Sequence, residues 1–267
     1  MRIFEPVNNT SNKSSPFNIW EGIYPDFQSA LVDAKGAGFS GDVYRTRSLQ
    51  AGTECLAALN SDQPIPAFHK QRSTHLPLVV AMMLGYEKNV RILDFGGGLG
   101  IGYMTLAECM PADLKRIEYQ IVEVSEVCKA GMDLLAGRGV IYETNLPTTA
   151  KYNLIHAASS LQYIEHWQDL LAKFAALGPE YILLSDVFAG SIQSYVTLQN
   201  YYESKIPHWF LNLTALLNTF HTHGYRMVLK SYATSRRLDA VDTLPMSNFP
   251  EDLRLTQSLH LLFQRNK

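Results

Sequence analysis

Val90-Arg91-Ile92-Leu93-Asp94-Phe95-Gly96-Gly97-Gly98-Leu99-Gly100 is the stretch on which the fold turns. A short apolar run ends in an acid, then in a glycine-dense turn, and the chain continues through Ile101 to Met110 as a helix. This is the first strand–turn–helix unit of an open α/β sheet, where ligands sit beyond the carboxyl ends of the strands. Glycines allow such a turn to be tight and let a ligand approach the backbone with no Cβ in the way. A dinucleotide fingerprint needs glycines at i, i+2 and i+5, but the residues five beyond Gly96, Gly98 and Gly100 are Ile101, Tyr103 and Thr105. What remains is an alternating series, Gly96, Gly98 and Gly100, preceded by Asp94. The turn is built for a nucleotide-like cofactor other than a dinucleotide.

Outward from the turn, strands and helices alternate. Upstream, Tyr44–Leu59 and Ser73–Leu84 read as helices, the second with Pro77 in its first turns, where a missing amide costs little. Downstream, a second strand, Ile117–Val122, ends at Glu123. That acid lies roughly twenty residues past the loop, about where open α/β folds put the carboxylate that accepts from two ribose hydroxyls. A third strand near Val140–Tyr142 leads into Thr144 and Asn145. Either can close a turn on its own backbone. The fourth strand, Tyr152–His156, runs through Ser159 to Gln162 and His166, and the fifth, Tyr181–Ser185, ends at Asp186. Helix Leu211–His221, strand Tyr225–Lys230 and a last strand within Leu255–Gln264 follow, with a long polar excursion over Ser231–Arg254. The segment Ser194–His208 mixes Tyr195, Tyr201, Tyr202 and His208 with Gln199, Asn200 and Lys205. It suits either a sugar, whose C–H faces stack on rings while its hydroxyls meet amides, or a helix with one apolar face.

The ends and the composition narrow the class. Residues Met1 to Ser15 are polar and read as a loose arm, whereas Pro16–Phe27 is too aromatic for a linker and either packs on the body or lines a pocket mouth. Residues 1–72 are therefore expected to form an arm and helical cap, and 73–267 the catalytic domain. The formal net charge is −2 and no block of cations forms a stripe, which argues against nucleic acid as the substrate. No apolar span of membrane length and no leader pattern are visible, so a cytoplasmic protein is expected. Cys55, Cys109 and Cys128 are scattered without metal-ligand spacing and read as buried free thiols, so no metal is expected. The oligomeric state stays open.

The loop Asp94-Phe95-Gly96-Gly97-Gly98-Leu99-Gly100 resembles motif I of class I methyltransferases that use S-adenosylmethionine (SAM). Together with Trp20-Glu21-Gly22-Ile23-Tyr24, Ser159-Ser160-Leu161-Gln162-Tyr163, Thr197–Tyr202 and Ile206-Pro207, it is similar to a methyltransferase family associated with bacterial surface-polysaccharide and lipopolysaccharide biosynthesis. The resemblance spans Phe17 to Phe263. It implies a Rossmann-like, seven-stranded, mostly parallel sheet of order 3-2-1-4-5-7-6 with an antiparallel last strand and an N-terminal helical and aromatic extension. It further implies that Asp94 orients the methionine end of the cofactor, that Phe95, Gly96, Gly98, Gly100, Glu123, Asn145 and Ser159 line the cofactor site, and that Thr144 or Asn145 approaches the adenine ring. Tyr24, Gln162, Gln199, Asn200 and Tyr202 are the candidate acceptor contacts.

Methyl transfer from a sulfonium is an in-line displacement that asks the protein mainly for alignment and exclusion of water. A sugar hydroxyl needs a general base in addition. His166, His156, Asp186 and His208 are the candidates, with His166 first by position and histidine favoured by its near-neutral pKa. The leading expectation is O-methylation of a saccharide or glycan precursor. The alternatives are an N- or other small-molecule methyltransferase and an inactive methyltransferase-like binding protein. The intact Asp94, glycine series and Glu123 argue against the last.

Overall fold

Strands covered on both faces need nearly continuous apolar sequence, and the central segments of this chain have it. In chain order the elements are β1 (Trp20–Tyr24), α1 (Phe27–Leu31), α2 (Asp42–Asn60), α3 (Ala67–Lys70), α4 (Leu76–Leu84), β2 (Val90–Phe95) and α5 (Ile101–Cys109). There follow β3 (Ile117–Val122), α6 (Ser125–Leu134), β4 (Ile141–Glu143), β5 (Leu154–Ala158), α7 (Trp167–Ala176), β6 (Tyr181–Val187), β7 (Ala189–Gly190), β8 (Tyr195–Tyr201) and β9 (Ser204–Asn212). The chain ends with α8 (Leu213–Thr222), β10 (Tyr225–Tyr232), β11 (Ser235–Arg237), β12 (Ala240–Asp242) and β13 (Leu259–Arg265). This computed structural model describes residues 17–149, 151–233, 235–237 and 240–266, so the arm expected over Met1–Ser15 lies outside the described residues.

The main sheet has the order β10-β13-β6-β5-β2-β3-β4. Numbered along the sheet-forming strands, that is 3-2-1-4-5-7-6, as expected. β2 pairs in parallel with both β3 and β5, whereas β13 runs antiparallel between β6 and β10. Two cores sandwich the sheet. Leu76, Met83, Met104 and Tyr119 fill one face, and Trp167, Phe174, Phe220 and Phe263 the other. Phe220 of α8 stacks on Phe263 of β13 with ring centroids 3.6 Å apart. Burying such a side chain contributes about 1.5–3 kcal/mol. None of the helices in the described residues is long and apolar enough to cross a membrane.

A second sheet, of order β1-β8-β9-β7, was not foreseen. The Ser194–His208 segment is not a helix but mainly the β8–β9 hairpin, and β1 adds to its outer edge in antiparallel register, Trp20 opposite Gln199. Both faces of β8 are covered. Val196 and Leu198 pack on Phe27 and Ala30, while Tyr195 joins Trp20, Phe188, Phe210, Met246 and Phe249. Two-sided burial erases the polar–apolar alternation by which a strand is recognised. The Ser231–Arg254 excursion is corrected likewise: it holds the β11–β12 pair and sends Met246 and Phe249 into this second core. The last strand begins at Leu259 rather than Leu255, because Leu255 belongs to that core too. Trp20 is 4% exposed, so the aromatic N-terminal element packs rather than lining a pocket mouth. Cys55 and Cys128 are buried, but Cys109 is exposed.

His208 of β9 sits inside this second core, 4.8 Å from Phe188, 4.9 Å from Phe210 and 5.3 Å from Tyr163, measured between ring centroids. Neither ring nitrogen has a hydrogen-bond partner. Burial pushes its pKa down to about 3, against a smaller opposing pull from Asp186. A histidine held neutral in the folded state adds stability that is complete above its unfolded pKa of about 6.5 and drains away as the pH falls toward 3. His208→Phe should therefore be at least as stable as the parent at pH 7.5. Across pH 6 to 4, urea midpoints should show the parent losing about 1.4 kcal/mol more per pH unit than the variant.

Candidate active site

The register of the sheet sets Asp94, next to last in β2, beside His156 of β5. Asp94 is 1% exposed. Its Oδ2 accepts a 2.6 Å hydrogen bond from the Tyr119 hydroxyl on β3. His156 Nδ1 lies 3.0 Å from Oδ1, but neither atom has a partner at hydrogen-bonding angles, so Oδ1 remains a buried acceptor. On its other side, His156 Nε2 is 3.1 Å from Ser185 Oγ.

The glycine loop closes around this carboxylate. Gly96, Gly98 and Gly100 all have positive φ, at 69°, 56° and 80°, which the handedness of the other residues disfavours. A Cβ on Gly97 would come within 2.5 Å of Asp94 Oδ2, whereas one on Gly98 would meet nothing within 4 Å. The Gly98 side of the loop therefore faces open space. The Gly98 N–H donates to Glu123 Oε1 at 3.2 Å, and the Val124 N–H donates to Oε2 at 2.8 Å. Burial raises the Glu123 pKa, and these two donors only partly offset it.

In front of the loop lies a cavity of about 590 Å³, well within the size range of small-molecule sites. Its walls are the loop, His156 and Ala158 at the end of β5, α2, the Phe68–Ser73 segment and the β8–β9 tip at Tyr201 and Tyr202. Ser159 and Asp186, at the ends of the adjacent strands β5 and β6, both have left-handed backbone with φ of 52° and 55°. Such conformations cost of order 1–3 kcal/mol in a non-glycine residue and gather at functional sites. Asp186 accepts from Arg72 Nε at 3.0 Å and from Ser258 Oγ. Burial works to raise its pKa, but Arg72, Ser258 and Ser159 together outweigh burial and hold it below the usual value.

A profile of a methyltransferase domain family matches residues 54–230, well over half of the sequence. The chain belongs to the methyltransferase domain family. Its seven-stranded, mostly parallel sheet has the strand order of the class I, SAM-dependent methyltransferase fold. No curated protein sequence matches it. Among solved structures, the methyltransferase fold is similar to that of the Burkholderia thailandensis 1,6-didemethyltoxoflavin-N1-methyltransferase, which was solved with S-adenosylhomocysteine (SAH) and 1,6-didemethyltoxoflavin. The TM-score is 0.51 and the identity 12%, over 88% of this chain and 94% of that one. It is also similar to the Haloferax volcanii chain solved in complex with the Trm112 methyltransferase activator, with TM-score 0.50 and 13% identity over 80% and 98% of the two chains. At such identities the likeness is one of fold.

The residues present fit an adenosyl amino acid. The open Gly98 face admits its backbone, buried Asp94 Oδ1 is an acceptor suited to an ammonium, and Glu123 stands at the loop as an acceptor for hydroxyls. Other residues singled out from the sequence lie elsewhere. Phe95 packs edge-on against Phe174, and Gly100 caps α5. Asn145 only donates to its neighbour Thr144, at 3.1 Å. His166 caps α7 with its side chain 75% exposed, away from the cavity walls, and His208 is sealed in the second core. Tyr24 donates to Asp33 on the outer surface, and Asn200 ties β8 to Asn18 and Glu21. Gln162 is fully buried and donates to Ser159, while Gln199 accepts from the Tyr163 hydroxyl. Tyr202 reaches the cavity wall.

Sequence reasoning missed the α2 wall and Arg72. Tyr44, Arg47, Ser48 and Ala51 recur at i, i+3, i+4 and i+7, one helical face, and all four line the cavity. That stripe was legible as a face, but nothing in it announced a cavity rather than solvent. α2 can lie against the loop because Gly52 presents no side chain to Leu99 and Leu134.

Gly102, in the first turn of α5, is packed so tightly that a Cβ there would overlap the Tyr119 hydroxyl and touch Asp94. Gly102→Ala should lower stability by about 1–3 kcal/mol in urea unfolding. Adding Tyr119→Phe, which removes the overlapping oxygen, should recover part of that loss even though it deletes the hydrogen bond to Asp94.

Proposed function

We propose that this methyltransferase O-methylates a saccharide or glycan precursor, as the sequence resemblance to surface-polysaccharide methyltransferases implies. SAM supplies an electrophilic methyl group when bound. Asp94, the Gly96–Gly100 loop and Glu123 hold it, and residues 17–72 act as a cap over the cavity.

One observation carries the choice of acceptor. Beside the cavity stands a cluster of rings, with Phe39 4.7 Å from Tyr163 and 5.1 Å from Tyr44, and Tyr44 6.1 Å from Tyr201. Gln199 lies within it, hydrogen bonded to the Tyr163 hydroxyl at 2.7 Å. Rings with an amide among them match a sugar's C–H faces and its hydroxyls. Tyr44 stays protonated, since burial raises its pKa to about 12, and Tyr163 stays protonated likewise, its one O–H spent on Gln199.

Of the four candidate bases, His166 is exposed away from the cavity walls, His208 is sealed among rings, and His156 is wedged between Asp94 and Ser185, whereas Asp186, not itself on the wall, is bonded to Arg72, which is. Asp186 is the proposed proton acceptor. Arg72, Ser258 and Ser159 keep it ionised, and three donors shared by two oxygens leave one lone pair to take a proton.

The test is calorimetry with SAM and SAH, with NAD as control, followed by transfer of labelled methyl to a panel of free and nucleotide-linked sugars. Binding of SAM and SAH but not NAD is expected, with label on a sugar oxygen. Asp186→Asn should lower turnover about a hundredfold or more with SAH affinity little changed. Label found only on amines or non-sugar acceptors would overturn the saccharide assignment.

A further inference from the structure

Two arginines line the cavity, and they are not equivalent. Arg72 is paired with Asp186. Arg47 of α2 has no carboxylate partner among the described residues, and its guanidinium lies 4.3 Å above the ring of Tyr202. Tyr202 occupies the first position of the two-residue β8–β9 turn with φ 52°, a conformation for which glycine is the easy residue. The turn thus accepts strain to present an aromatic face under a cation. A guanidinium stacked in this way keeps its edge of N–H donors free.

Neither carboxylate of the cavity pairs with Arg47: Glu54 is engaged by Gln50 and His69, and Asp94 accepts from Tyr119 through Oδ2. Both arginines are close enough to Tyr201 to pull its hydroxyl pKa downward against the dominant effect of burial. Two guanidiniums therefore converge on one wall of the cavity, and only one of them has a carboxylate. α2 also divides its contacts. Gly52 abuts Leu99 of the glycine loop, whereas Arg47 turns to the hairpin tip. The uncompensated cation therefore stands on the hairpin side of the cavity wall, more than a helical turn along α2 from the contact with the loop.

We infer that Arg47, seated on Tyr202, is a specificity residue that binds an acidic group, carboxylate or phosphate, carried by the acceptor. The inference rests on the proposed saccharide methylation only for its choice of sugar probes.

The experiment uses the full chain saturated with SAH and compares matched pairs by calorimetry. The probes are glucuronate and glucose 1-phosphate against glucose, and 4-hydroxybenzoate against phenol. The acidic member of a pair should bind about tenfold tighter, the size of one charge-assisted contact. That preference should shrink with added salt, because Arg47 is exposed. Arg47→Gln should abolish the preference and leave SAH affinity as in the parent. Arg47→Lys, which keeps the charge but not the planar fork, should restore part of it.

A preference confined to 4-hydroxybenzoate would keep the anion site and overturn the saccharide assignment. Equal binding of acidic and neutral probes, or binding of neither, would overturn the inference. So would weaker SAH binding by Arg47→Gln, since the anion would then be the cofactor's own carboxylate.

Discussion

The burial of one carboxylate constrains everything around the site. Asp94 lies at the end of the central strand with almost no exposed surface, and a buried polar group in that position needs partners. Tyr119 supplies a hydrogen bond from β3, and His156 of β5 lies 3.0 Å from the other oxygen. Both are delivered by parallel register, which sets Asp94 beside His156 and brings β3 alongside. The loop and the first turn of α5 must then pass so close that Gly97 and Gly102 have no room for a side chain. Sheet register, glycine pattern and the open face at Gly98 are one arrangement seen from three sides.

A second level of organisation comes from the small sheet. β1 and the β8–β9 hairpin come from distant parts of the chain, and they pack a core of their own around Trp20, Phe188 and Phe210. This sheet buries His208 and carries Tyr201 and Tyr202 to the cavity. The hairpin wall of the cavity is therefore assembled from elements outside the main sheet. The glycine-loop wall belongs to the main sheet itself.

Left-handed backbone at Ser159, Asp186 and Tyr202 marks where these two levels meet. Each is a non-glycine residue held in a conformation it would not choose, two at adjacent strand ends and one at the hairpin tip. The surrounding packing over-determines them. Arg72 reaches Asp186 from the segment before α4, and Arg47 reaches Tyr202 from α2. Strain and charge thus coincide along the rim.

The central strands, the glycine loop and the strand-end positions of Asp94 and Glu123 were legible in the residues, while the places of the last two strands came from the family resemblance. Continuous apolar runs punctuated by glycine are local signals, and the chirality and register of βαβ units leave little freedom in how they assemble. The β8–β9 hairpin was not legible, because both its faces are covered and its alternation is lost. Nor was the fate of the histidines. His166 and His208 both looked placed for catalysis, yet one caps a helix in solvent and the other is walled in by rings. Sequence by itself determined the main sheet and its cofactor loop, since these rest on contacts between neighbouring segments. Only the tertiary structure decided which polar side chains reach the cavity, because Arg47 meets Tyr202, and Arg72 meets Asp186, through packing between segments more than a hundred residues apart.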